Sequence, residues 1–197
     1  MKSTIKLIAL GALPVFLVAG CSTPVQRIEA GGPTAVTTMG VDIKDFKDAA
    51  GDMVKTLLTS GALDRTDGRK SVIAVGKIIN DTDRNFDTDQ ISFKITSDLM
   101  TSGKTMTTTT YGANAADKVG QAALNEKKFL ADDKGPGILP DFTLAGKILV
   151  QHAQAGHTHE VTYTFQLFLT DTSSGLAVWQ NERSIGKQGR GPAGVSF

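Results

Sequence analysis

The sequence predicts an α+β fold: a single domain with a mixed, mostly antiparallel sheet, a C-terminal three-stranded meander, and flanking helices. Three observations predict it. Helical and strand periods alternate along the first two thirds of the chain. The last third holds two strictly alternating runs and a third strand-like run, joined by turn residues. A length of 197 residues with 40% hydrophobic content suits one core.

Taken in order, residues 42–60 read as the first helix. Ile43, Phe46, Ala49, Ala50, Met53, Val54, Leu57 and Leu58 recur at three- and four-residue spacing, with Asp42 as N-cap and Gly61 as stop. Residues 71–79 form a nearly continuous apolar run rich in valine and isoleucine, which fits a central strand buried on both faces. Residues 80–87 are a polar loop. Asp87 or Thr88 then caps a second helix ending at Ser102, with Ile91, Ile95 and Leu99 on one stripe. Residues 104–110 are β-branched and strand-like, residues 114–128 an alanine-rich third helix, and residues 134–140 a loop around Gly135-Pro136-Gly137. Phe142, Leu144, Gly146, Ile148 and Val150 alternate with Thr143, Ala145, Lys147, Leu149 and Gln151. Val161, Tyr163, Phe165, Leu167 and Leu169 alternate with Thr162, Thr164, Gln166, Phe168 and Thr170. Asp171-Thr172-Ser173-Ser174-Gly175 is turn chemistry, and residues 176–185 close the meander. From Lys187 the glycine-rich chain is expected to be loose, so the globular domain is set at residues 41–188 and the tail at 189–197.

The N-terminus has its own logic. Lys2 and Lys6 precede a short apolar run, and Val18-Ala19-Gly20-Cys21 follows. The run falls short of the ~20 apolar residues a membrane span needs, so residues 1–20 read as a secretory signal. The small residues before Cys21 resemble a bacterial lipobox, which implies cleavage there and lipid attachment to Cys21 as the new N-terminus. Cys21 is the only cysteine, so no disulfide forms within the chain. Several lipid chains would make a firm tether, at about 0.8 kcal/mol per buried methylene. Ser22 stands where an aspartate signals inner-membrane retention in such lipoproteins, which implies the outer membrane. Residues 21–40 are a linker with no hydrophobic period. It reaches at most about 70 Å extended and about 25 Å as a coil.

Charge excludes one class of partner. The signal holds two of the 21 basic residues and none of the 20 acidic ones, leaving 19 against 20, or −1. That is no footprint for nucleic acid. No nucleophile elbow, P-loop or zinc-protease motif appears, so neither enzyme chemistry nor a cofactor is expected.

Several pieces then form a set: Leu57-Leu58-Thr59-Ser60-Gly61, Asn80-Asp81-Thr82 after a strand, and Ser102-Gly103-Lys104. The closing pattern Tyr163-x-Phe165-x-Leu167-x-Leu169, Asp171 to Gly175, Val178-Trp179 and Ile185-x-Lys187 completes it. Across residues 41–187 the chain resembles the LpoB-type activators of penicillin-binding proteins. The resemblance implies a non-enzymatic outer-membrane lipoprotein facing the periplasm. It also implies a partner, a bifunctional peptidoglycan synthase, whose polymerisation and crosslinking the domain stimulates.

Candidate sites stand beside blander readings. Arg84 and Phe86, an arginine and an aromatic in a polar turn, are the kinds of residue that anchor interfaces, and they form the candidate partner-binding pair. The competing reading folds Phe86 back on the core as a helix staple. His152, His157, His159 and Glu160 around an expected hairpin tip match no standard zinc spacing and read as a polar turn, so no metal site is assigned. Asp81, Asp83, Asp87 and Asp89 lack the glycine and terminal glutamate of a calcium loop and read as loop and helix-start acids. Trp179 reads as a core or rim packer. The alternatives to an activator are a curli-secretion-like structural subunit and a metal-binding lipoprotein.

Overall fold

The computed structural model describes residues 42–112, 115–132 and 139–190. Residues 1–41, which hold the expected signal, Cys21 and the expected linker, lie outside the described residues, as do residues 113–114, residues 133–138 with the expected Gly135-Pro136-Gly137 loop, and residues 191–197. Eight elements follow the expected order: α1 (Ile43–Thr59), β1 (Ser71–Asp81), α2 (Asp89–Thr101), β2 (Thr105–Thr108), α3 (Lys118–Leu130), β3 (Phe142–Ala155), β4 (Thr158–Asp171) and β5 (Ala177–Arg190).

The start of α1 is specified locally. The Asp42 carboxylate accepts the Lys44 and Asp45 N–H groups, and Asp45 accepts the Asp42 N–H in return. Such a capping box satisfies donors that the helix itself cannot, and a cap of this kind is worth about 1 kcal/mol. At the other end Gly61 takes φ +80°, a left-handed conformation that glycine adopts without a Cβ penalty.

The five strands form one sheet in the order β2-β1-β3-β4-β5. β1 pairs parallel with β2 and β3, while β3, β4 and β5 are antiparallel neighbours. α1 and α2 pack on each other over one sheet face, and Phe46, Met53, Leu57, Ile91, Ile95 and Leu99 meet Ile73, Leu144, Ile148 and Phe165 there. The crossovers β1-α2-β2 and β2-α3-β3 run in opposite lateral directions. Right-handedness therefore places α3 on the face opposite α2.

Three differences from expectation have physical reasons. The first half of β1 is buried on both faces, but a register shift between Val75 and Ile78 turns the strand. Ile78 returns to the core while Ile79, on the uncovered face, is 60% exposed. Second, β3 and β4 run on to a two-residue turn at Gly156-His157, with Gly156 at φ +61° as a tight hairpin requires. The alternating apolar signal stops at Val150 because the core stops there, not because the strand does. Third, β5 continues to Arg190. Lys187 to Arg190 pair with Thr158 to Val161, so this stretch belongs to the sheet rather than to a loose tail.

The α1–β1 connection is tied to the start of β3. Arg65 pairs with both Asp67 and Asp141. Asp141 also accepts the Val72 N–H at 2.8 Å and donates its own N–H to the Val72 carbonyl at 2.8 Å. The Arg65 guanidinium, helped by the Arg69 N–H, holds the Asp67 carboxyl well below the usual carboxylate range. The Ser173 hydroxyl and the Ser173 and Ser174 N–H groups lower Asp171 likewise. A depressed folded-state pKa contributes stability that is present above the unfolded value of about 3.9 and is lost as pH falls. Thermal midpoints should therefore hold from neutral pH down to about pH 5 and drop below about pH 4. Asp67→Asn should flatten that acid limb.

Candidate functional site

The polar loop between β1 and α2 is built on internal contacts. Asn80 Nδ2 donates to the Arg84 carbonyl at 2.8 Å, Thr82 Oγ1 donates to Asn80 Oδ1 at 2.7 Å, and the Arg84 N–H donates to Thr82 Oγ1 at 3.2 Å. Thr88, buried, spends its hydroxyl on the Ile78 carbonyl at 2.9 Å. The start of α2 is closed instead by Asp87, which accepts the Asp89 N–H at 2.8 Å.

The expected site residues separate in this frame. Phe86 is half-buried and stacks on Phe46, with ring centroids 5.1 Å apart and an interplanar angle of 18°. Phe46 in turn meets Tyr163 and Phe165 edge-on at 6.0 and 6.3 Å. Phe86 thus forms the outer ring of an aromatic stack in the core. Arg84 is exposed, and its guanidinium lies beside the Tyr163 hydroxyl. Burial pushes the Tyr163 phenol up and Arg84 works against that rise.

The four aspartates do not converge on a common point. Asp81 pairs with Lys147 at 2.7 Å, Asp83 lies 3.3 Å from His152 Nε2, and Asp87 and Asp89 belong to the start of α2. His152 is on β3, His157 is in the turn, and His159 is on β4. Among the described residues no group of three His, Cys, Asp or Glu side chains is placed to hold a metal ion. Trp179 sits half-buried at the core rim, beside the bulge in the β4–β5 pairing.

At the other end of the sheet, α3 stands off the uncovered face. Its Asp117 cap accepts the Gly120 N–H at 2.8 Å. The Asp117 N–H reaches the Thr109 carbonyl, and Gln121 donates to the carbonyls of Thr110 and Gly112 at 3.0 Å each. Between helix and sheet runs a groove of about 540 Å³ lined by Val72, Met106, Thr108, Gln121, Leu124 and Lys128. No residue of α3 is buried. Spacing shows that a helix has an apolar side, not which way that side turns, so this arrangement leaves no trace in the sequence.

A family model described as peptidoglycan-synthase activator LpoB matches residues 45–185, from the first turn of α1 into β5. The chain belongs to the LpoB family. The LpoB family is one of synthase activators rather than enzymes. No curated protein matches the sequence. Among solved structures, the C-terminal domain of Escherichia coli LpoB is similar at 16% identity, over 72% of this chain and 98% of that one, with a TM-score of 0.43. The NMR structure of E. coli LpoB is similar at 13% identity, over 96% of each chain, with a TM-score of 0.43. Lipoprotein GNA1162 from Neisseria meningitidis is similar at 14% identity, over 63% of this chain and 88% of that one, with a TM-score of 0.35.

Proposed function

We propose that this chain is a non-enzymatic lipoprotein, anchored through Cys21 to the periplasmic side of the outer membrane, that binds and activates a bifunctional peptidoglycan synthase, a penicillin-binding protein. The observation that carries the reading is the family match over residues 45–185, behind an N-terminus that ends in Val18-Ala19-Gly20-Cys21. The mechanism is a population shift. The domain binds the active synthase conformation better than the idle one, and its differential affinity bounds the activation it can give. A tenfold gain needs only about 1.4 kcal/mol of preference. Arg84, exposed on a loop that Phe86 pins to the core, is the loop's candidate contact with the partner.

Tether and domain together set the reach. β3 alone, at 14 residues, is about 46 Å long. Added to a linker that extends to about 70 Å, this carries the far end of the domain well into the periplasm. Residues 22–197, immobilised, should retain penicillin-labelled bifunctional synthase from detergent-solubilised host membranes. If no bifunctional synthase of the host is retained, the reading fails.

A further inference from the structure

α3 is amphipathic the wrong way round for a helix that merely covers a sheet. Its sheet-facing side carries Gln121, Leu124 and Lys128, which line the groove over Val72 and Met106. Its outward side carries Val119, Phe129 and Leu130, exposed at 81%, 85% and 76%. At 3.6 residues per turn, Val119, Ala122, Ala123, Glu126 and Leu130 form one continuous stripe, with Phe129 on its edge. A sheet-covering helix turns its apolar stripe inward. An apolar stripe held in water marks an interaction site.

Two observations decide what covers it. The first is where the tether enters. Near the start of α1, Asp45 pairs with Lys187 at 2.7 Å, and Lys187 shares a rung with Val161 and, on β3, His152. α3 lies over Val72 and Met106, level with the start of β3 at Asp141 and Phe142. The two points are about 30 Å apart along the sheet. The roughly 20 residues between Cys21 and the domain therefore join it at one end of the sheet, and the stripe lies toward the other, clear of the point where the tether joins. The second is Glu126. A carboxylate midway along the stripe opposes burial in acyl chains, whereas a protein groove can offer it a cation.

We propose that α3 is the docking helix for the synthase. Its stripe lies in an apolar groove of the partner, as amphipathic helices do, with a lysine or arginine of that groove facing Glu126. The proposal rests on the activator reading above and names the surface that reading needs.

The test uses residues 22–197 and the same penicillin-labelled synthase. The double variant Val119→Glu with Leu130→Glu should lose about tenfold or more in retention, the scale of a hot spot. Its melting temperature should stay within a few degrees of the parent's, because both side chains are already in water. Glu126→Lys should weaken retention more than Glu126→Gln. If the parent chain retains synthase and the double variant retains it equally, the docking helix is wrong while the activator reading stands. If the parent chain retains none, both fall. If the double variant instead abolishes self-association in sedimentation, or flotation with phosphatidylglycerol vesicles, and leaves synthase retention intact, the stripe serves a second copy or a lipid surface and the proposal is overturned.

Discussion

Phe46→Ala is expected to lower the unfolding free energy by about 3–5 kcal/mol, the usual cost of truncating a buried aromatic. Phe46 is 1% exposed and sits where α1, the β1–α2 loop and the sheet meet. Removing its ring takes away the stack with Phe86 and the edge contacts with Tyr163 and Phe165 together. The remaining rings are fixed by strands on one side and a hydrogen-bonded loop on the other, so the cavity has little room to collapse. Urea titration with an unchanged slope would report the loss. Phe86→Ala should cost less, since that ring is half exposed. A Phe46→Ala cost below about 1 kcal/mol would contradict this description of the core.

Gly146→Ala should cost about 3 kcal/mol, the upper end for overpacking. Gly146 lies on the core face of β3, opposite Ile78 and Leu167. A β-carbon there would stand 2.6 Å from Leu167 Cδ2, 2.7 Å from the Gln166 carbonyl oxygen and 3.0 Å from Ile78 Cδ1. The side chains can turn aside, but the carbonyl belongs to the β4 ladder and cannot. The neighbouring Ala145→Gly change, on the uncovered face, serves as a control and should cost much less. Thermal unfolding of the two variants side by side separates crowding from a general loss of strand propensity.

Much of this fold was legible before the structure. Capping at Asp42, the stop at Gly61, the paired alternation of β3 and β4, and the turn at Asp171 to Gly175 each express a local preference that tertiary packing then agrees with. Three things were not legible. Hydrophobic alternation marks where a strand meets a core, so the ends of β3 and β4, carrying His152, Gln154 and Glu160 in water, left no signal. Phe86 packs back on the core, one of its two expected readings, but the rings it meets come from distant segments and no local pattern names them. The direction in which α3 turns its stripe depends on crossover handedness and on the short hydrogen-bonded link at Asp117 and Gln121, neither of which spacing encodes.

The central claim is that the domain raises synthase activity without chemistry of its own. The most direct measurement is the rate of glycan polymerisation by a purified bifunctional synthase of the host on lipid-linked disaccharide precursor, with and without residues 22–197. The account predicts a saturable rise of several-fold in the initial rate with the domain present, and no turnover by the domain alone. An unchanged rate at saturating domain, for every bifunctional synthase of the host, would contradict it.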